Sequence, residues 1–227
     1  MTDLLYRWPP AAKFGRRVPK EKFYEHGNVN TAVRDEFVSE VARITWGYKL
    51  ATGTINLPEA PQVPEIQVFE ITAKNAEVSE KVLAAIDKAI PTPIVFEITR
   101  NLDGAWQTRM VAAHKQLSTV AQRGSAAPKT SQYFTTGWLP DDAERQPLPT
   151  AITLPALYAA LLEPLTNVEV RPGEGMSEVA DRLKTVGKLE REIAALERKL
   201  RTEKQLNRKV ELRRTLKTKQ HELEQQR

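Results

Sequence analysis

Two glutamates, Glu70 and Glu97, hold the same place in a short internal echo, Val68-Phe-Glu-Ile-Thr72 and Val95-Phe-Glu-Ile-Thr99. If the copies are paired parallel strands, the carboxylates come close enough to share a divalent metal, as the acids of phosphoryl-transfer enzymes do. The apolar neighbours favour a plainer role. Phe69 and Ile71, or Phe96 and Ile98, occupy the opposite face of each strand, and an alternating glutamate is then the wet side of a half-covered sheet. Lys74 and Lys88 do not complete the spacing of a restriction-type nuclease core.

Other chemistry-bearing residues are scattered. Asp87 and Lys88 stand at the end of a helical stretch just before Pro91, where they suit a contact with a partner subunit; alternatively Lys88 simply favours the negative end of the helix and Asp87 is solvated. His26, His114 and His221 are far apart and fall in no metal-binding or nucleophile-activating motif. There is no Gly-rich phosphate loop, Ser elbow or acidic calcium loop, so no cofactor is expected and the reading leans away from an enzyme.

Positive charge is the strongest signal. Ser177 to Arg227 holds 15 Lys or Arg against 9 Asp or Glu, a net of +6, while the whole chain is only +5. Arg198, Lys199, Arg201, Lys204, Arg208, Lys209, Arg213, Arg214, Lys217 and Lys219 cluster there. Such side chains grip phosphates without reading sequence, because each neutralised phosphate releases counterions. The competing explanation is that Glu190, Glu192, Glu197, Glu203 and Glu211 satisfy them across a coiled coil. A second basic stretch, with Arg16, Arg17 and Lys20 among aromatics, could extend the same surface.

These residues need elements to position them. Residues 1–29 read as a basic, extended lead-in whose prolines discourage any helix. Asn30 is an N-cap, and Val33, Phe37, Val41 and Ile44 predict an amphipathic helix running to Gly47. Pro58, Pro61 and Pro64 make a stiff connector. The two echoing strands flank a helix from Ser79 to Ile90, a crossover that favours parallel strands. Asn101-Leu-Asp-Gly104 turns the chain into a return strand from Ala105 to His114, and Tyr133 to Leu139 adds a fourth. Gln122 to Ser131 and Pro140 to Thr150 read as surface loops, and Leu154 to Leu165 as a buried helix. Residues 171–176 are a hinge.

Within residues 177–227, Val186, Leu189, Ile193, Leu196 and Leu200 keep a 3-4 spacing, after which the stripe loses phase and Leu212, Leu216 and Leu223 begin another. A reversal near residues 202–207 would give an antiparallel hairpin; one continuous helix with a fading seam is the alternative. Leu212 and Leu216 are then candidates for holding a partner, and a homodimer through the arm is a further reading.

The order of segments resembles one bacterial family. Pro19-Lys-Glu-Lys-Phe-Tyr24, Arg34-Asp-Glu-Phe37, Ile44-Thr-Trp46, Glu65-Ile-Gln-Val-Phe69, Ile86-Asp-Lys-Ala-Ile-Pro91 and Glu203 to Leu212 carry the likeness, which covers nearly the whole chain. It is an uncharacterised domain-of-unknown-function family. The resemblance implies genes placed beside helicases and DNA methyltransferases in restriction-modification-like or phage-defence clusters, and it brings context rather than catalysis.

The expectation is therefore an α+β protein: a small mixed β-sheet with packed helices over residues 30–170 and a C-terminal helical-hairpin, coiled-coil arm over residues 177–227. No cysteine and no long apolar stretch make it cytoplasmic without a membrane segment. Its expected role is a non-catalytic accessory subunit holding a helicase or methyltransferase, with DNA or RNA as a second partner. The alternatives are a metal-dependent nuclease using Glu70 and Glu97, and a purely structural coiled-coil dimer.

Overall fold

A computed structural model of the chain describes residues 3–27, 29–116, 129–166, 176–203 and 205–226. The chain divides into two compact units, residues 1–167 and residues 168–227. The first is built on a seven-stranded mixed sheet, the second is a pair of helices.

In the first unit the sheet order is β2 (Lys13–Arg17), β3 (Val41–Ala51), β4 (Glu65–Ala73), β5 (Ile94–Leu102), β6 (Ala105–Gln116) and β7 (Lys129–Thr135), with β8 (Leu139–Pro140) also paired to β6. The echo pairs residue for residue: β4 and β5 are adjacent and parallel, with Phe69 opposite Phe96, Glu70 opposite Glu97 and Ile71 opposite Ile98. Every other main pairing is antiparallel. The β5–β6 hairpin turns at Asp103 (φ 51°) and Gly104 (φ 87°), two left-handed residues in succession, which is the turn whose twist matches the flanking strands.

Alternation divides the sheet's residues between two faces. On one, Phe69, Ile71, Phe96, Ile98 and Val111 pack against Phe23 of α1 (Lys20–Gly27), Phe37 of α2 (Thr31–Glu40) and Val82, Leu83 and Ile86 of α4 (Glu80–Ala89). Each such side chain, buried in full, contributes about 1.5–3 kcal/mol. Against the other lies α5 (Leu154–Leu162), whose Tyr158 donates to the Ala113 carbonyl (2.6 Å) and stacks on His114. A short strand β1 (Leu5–Tyr6), paired in parallel with β9 (Arg145–Gln146), accompanies it with Trp8 buried nearby. A single turn of helix, α3 (Thr52–Ile55), follows β3.

Four expectations are corrected. The helix capped by Asn30, whose Oδ1 accepts from Val33 N (3.0 Å), ends at Glu40 instead of reaching Gly47. Val41–Ala51 is rich in β-branched and aromatic residues and pairs along its length with β4, so tertiary pairing overrides an apolar spacing that also suits a helix. The lead-in is not helix-free: Pro19 sits just ahead of α1, where its missing N–H costs nothing, and Lys13–Arg17 forms an edge strand. Pro140 to Thr150 is tied down through β9. The expected loop from Gln122 to Ser131 is also shortened, since Lys129–Ser131 belong to β7; its residues 122–128 and the hinge residues 171–175 lie outside the described residues.

Asp87 is also corrected. It is 4 % exposed, not solvated, and forms an ion pair with Lys115 (Nζ to Oδ1 2.8 Å), itself 2 % exposed. The same ammonium donates to the carbonyls of Asp87 (2.8 Å), Ile90 (2.7 Å) and Thr92 (3.0 Å), so it caps the C-terminus of α4 from β6. Tyr133 donates to the other Asp87 oxygen. Burial pushes the Asp87 carboxyl up and the Lys115 ammonium down, and their mutual contact opposes both.

Removing one partner strands the other charge in the core. Asp87→Asn is expected to lower unfolding stability by about 3 kcal/mol or more, with Asp87→Leu plus Lys115→Met recovering most of the loss. Urea titrations of the three variants test this; a cost for Asp87→Asn below about 1 kcal/mol would remove the pair's structural role.

In the second unit α6 (Met176–Thr202) and α7 (Leu206–Gln226) pack together. Arg182 Nη1 reaches the Gln226 carbonyl (2.9 Å) and Glu192 meets Lys219 (3.4 Å), so the helices run antiparallel: the hairpin, not one continuous helix. Val186 and Leu189 are buried, whereas Ile193, Leu196, Leu200, Leu212, Leu216 and Leu223 are half-buried along the seam. Leu212 and Leu216, expected to hold a partner, thus face the sister helix.

Candidate functional site

The parallel register places Glu70 and Glu97 side by side on the face that carries β1 and β9, and each meets a different environment. Glu97 is 5 % exposed and fully engaged: Trp8 Nε1 donates to Oε1 (2.8 Å), and Arg145 spans the carboxylate from Nη1 (2.7 Å) and Nη2 (3.3 Å). Arg145 also donates to the Tyr6 carbonyl (2.9 Å). The carboxylate therefore anchors the N-terminal segment and the β9 segment to the sheet centre. Neither Trp8 nor Arg145 was singled out by motif reasoning, because their sole signal is proximity created by the fold.

Glu70 lies over Gly47 of β3. A Cβ at that glycine would come 2.9 Å from Glu70 Cδ, so the bare backbone makes room for the carboxyl. Among the described residues no hydrogen bond reaches Glu70. Burial, then the Glu97 carboxylate, push its pKa up, while Arg145, Arg43 and Lys13 pull the other way. Burial and the same two glutamates also raise the Tyr48 phenol. A metal shared by Glu70 and Glu97 would have to displace Arg145 from Glu97, and no group of three His, Asp or Glu among the described residues is arranged to hold one. The pair suits an ion-paired anchor beside a carboxyl whose pKa is raised by burial.

Of the other candidates, Lys88 is exposed on α4, separated from its buried neighbour Asp87. Lys20 donates to the carbonyls of Phe37 and Val41 and so closes the C-terminal end of α2; burial lowers its pKa. That task withdraws it from a phosphate-contacting surface. Arg16 and Arg17 stand exposed on the edge strand β2, Arg16 over the Phe14 ring at 5.1 Å. Arg100 of β5 and Arg109 of β6 both lie over Trp138 (3.8 and 4.6 Å) and meet Glu77.

The helical hairpin brings the remaining cations together. Arg198, Lys199, Arg201, Arg208, Arg213, Arg214 and Lys217 are exposed and Lys209 is half-buried around the turn between α6 and α7; Lys204 lies outside the described residues. Glu192 takes Lys188 (3.8 Å) and Lys219 (3.4 Å), and Glu222 takes Lys219 (2.8 Å). Those pairs sit away from the turn. None of the eight described cations nearest it forms an ion pair among the described residues, so the coiled-coil glutamates do not neutralise them.

Sign and environment of Glu70 give a direct test. A carboxyl whose proton is held more tightly folded than unfolded lends stability at low pH and loses it as pH rises through its raised folded value. Glu70→Gln should therefore unfold at a higher temperature than the parent near neutral pH, the two converging below about pH 4, where a free carboxylate is largely protonated. A melting-temperature difference that is flat across this range contradicts the assigned burial.

No curated protein and no solved structure matches the chain. A family model described as a domain of unknown function, DUF4391, matches residues 7–223, spanning both the sheet unit and the hairpin. The chain belongs to the DUF4391 family.

Proposed function

We propose that this protein is a non-catalytic accessory subunit of a bacterial defence or restriction-modification-like complex, with its C-terminal hairpin acting as a docking element for nucleic acid and a helicase or methyltransferase partner. The observation that supports it most is electrostatic: among the described residues the eight cations around the α6–α7 turn, seven exposed and Lys209 half-buried, form no ion pair, while the nearest ion pairs lie elsewhere on the hairpin. Unpaired like charges repel one another, and a folded helix bears that cost most easily where an anionic partner relieves it. Among the described residues the sheet unit supplies no comparable cluster. Its central carboxylate, Glu97, is held by Arg145 and Trp8, which favours an anchoring role over a metal-dependent nuclease.

With about four to five phosphates engaged, affinity for generic duplex DNA should fall about 10²- to 10³-fold between roughly 50 and 200 mM salt. Full-length protein with the eight turn cations changed to Gln should lose that salt-dependent binding. Binding indifferent to both salt and these substitutions would overturn the assignment. Mg²⁺-dependent DNA cleavage abolished by Glu97→Gln would replace it with the nuclease reading. For the protein partner, size-exclusion chromatography of the chain mixed with the adjacent-gene helicase or methyltransferase should show one co-eluting complex, and separate elution would remove that half of the proposal.

A further inference from the structure

The hairpin has two long sides, and they differ in charge. One side carries two shallow clefts, of about 390 Å³ and 340 Å³. Their charged linings are Lys188, Lys199, Arg208 and Lys219 against Glu192, Glu203, Glu211 and Glu222, four of each sign. This side is neutral, and all three Lys–Glu pairs of the hairpin described above belong to it. Residues three or four apart on a helix share a stripe, so the positions away from both seam and clefts can be read from the spacing. Their charged members are Glu190, Arg191, Glu197, Arg198 and Arg201 on α6 and Arg213, Arg214, Lys217 and Glu224 on α7, with Gly187, Ala194, Val210 and His221 between them. In an antiparallel pair whose cleft-lining stripes share one side, these two stripes share the other.

That second side carries Arg191, Arg198, Arg201, Arg213, Arg214 and Lys217, all exposed and none in an ion pair among the described residues. Glu190, Glu197 and Glu224 share this side, so six cations stand against three carboxylates, a net of +3 where the cleft side is neutral. Arg191 and Arg198 each turn Nε back to a carbonyl of their own helix (3.0 and 3.3 Å), which holds part of each guanidinium along the surface. Gly187 and Ala194 keep the α6 stripe low between the arginines. Five of the six cations are Arg, whose planar fork matches phosphate oxygens two at a time.

We infer that this arginine side, and not the cleft side, is the surface that docks on the phosphodiester backbone of duplex DNA; the inference rests on the docking role proposed for the hairpin. From Arg191 to Arg201 the stripe runs about 15 Å, a length over which a duplex presents roughly nine phosphates, ample for six cations. Residues 177–227 contain no Phe, Trp or Tyr, so the surface lacks the aromatic platforms on which unpaired bases stack. Two helices packed side by side, with axes about 8–10 Å apart, are together wider than the major groove of B-form DNA, about 12 Å, so the surface meets phosphates along the backbone and not base edges.

The test uses the full chain in two matched triple variants, each removing three charges. Arg198→Gln with Arg213→Gln and Arg214→Gln should weaken binding to a 25-base-pair duplex, read by fluorescence anisotropy, by roughly 10²-fold and make the log–log salt slope shallower by about two to three. Lys188→Gln with Lys199→Gln and Arg208→Gln should cost only severalfold, through net charge. Equal losses in the two triples overturn the choice of side while leaving the docking role intact, and no loss in either overturns both. Arg198→Lys with Arg213→Lys and Arg214→Lys, which keeps the charge, should restore most of the salt slope and guards against a folding defect, as does an unchanged helical circular-dichroism signal. Equal or tighter binding to single strands or to duplex RNA overturns the commitment to duplex DNA.

Discussion

Lys115 places a full positive charge inside the core, and the way that charge is accommodated dictates how the crossover is built. An unpaired ammonium there would carry a desolvation penalty of several kcal/mol. It persists because Asp87 supplies an opposite charge and three carbonyls at the end of α4 supply acceptors. The Asp87 carbonyl is one that a helix leaves without a partner in its last turn, Ile90 is the C-cap, and Thr92 lies just beyond it. One side chain from β6 thus satisfies the helix end, neutralises a buried acid and fixes where the chain re-enters the sheet as β5. Tyr133 from β7 closes on the same acid, so β6, β7 and α4 share one polar joint under the apolar layer.

The opposite face of the sheet is organised by a second buried acid. Glu97 draws in Arg145 and Trp8, which lie 48 and 89 residues away, and with them the short β1–β9 pair. Among the described residues its echo partner Glu70 has no such donors and instead rests over Gly47, half-buried beside Glu97. Identical residues in identical strands therefore end in different states, since neighbouring chain segments cover one and not the other.

The hairpin follows a different balance. Its seam is a thin apolar contact between two helices, with most of its leucines only half-covered, and its charges are sorted by side instead of being mutually quenched. Packing explains why α6 and α7 lie together; it does not explain why arginines gather on the side away from the clefts. That sorting is the feature on which the proposed docking to a polyanion rests.

Much of this was readable in the residues. The echo in β4 and β5, the helix between them stopped by Pro91, the turn before Gly104 and the phase loss after Leu200 each follow from local spacing, because periodicity and turn chemistry act within a few residues. The cationic hairpin was equally evident, since charge is counted without knowing a fold. What spacing could not decide were the matters of long-range contact: that Val41–Ala51 pairs as a strand, that Asp87 is buried against Lys115 and not solvated, that Lys20 closes a helix end, and that Leu212 and Leu216 face the sister helix. In each case the deciding partner comes from another element: β4 for the strand, β6 for Asp87, α2 for Lys20 and α6 for the two leucines. Sequence alone set the periodic elements and the net charge of this protein; tertiary structure decided which charges are buried, which are paired and which remain on one side of a helix pair, because desolvation and Coulomb energies depend on neighbours that only the folded chain brings together.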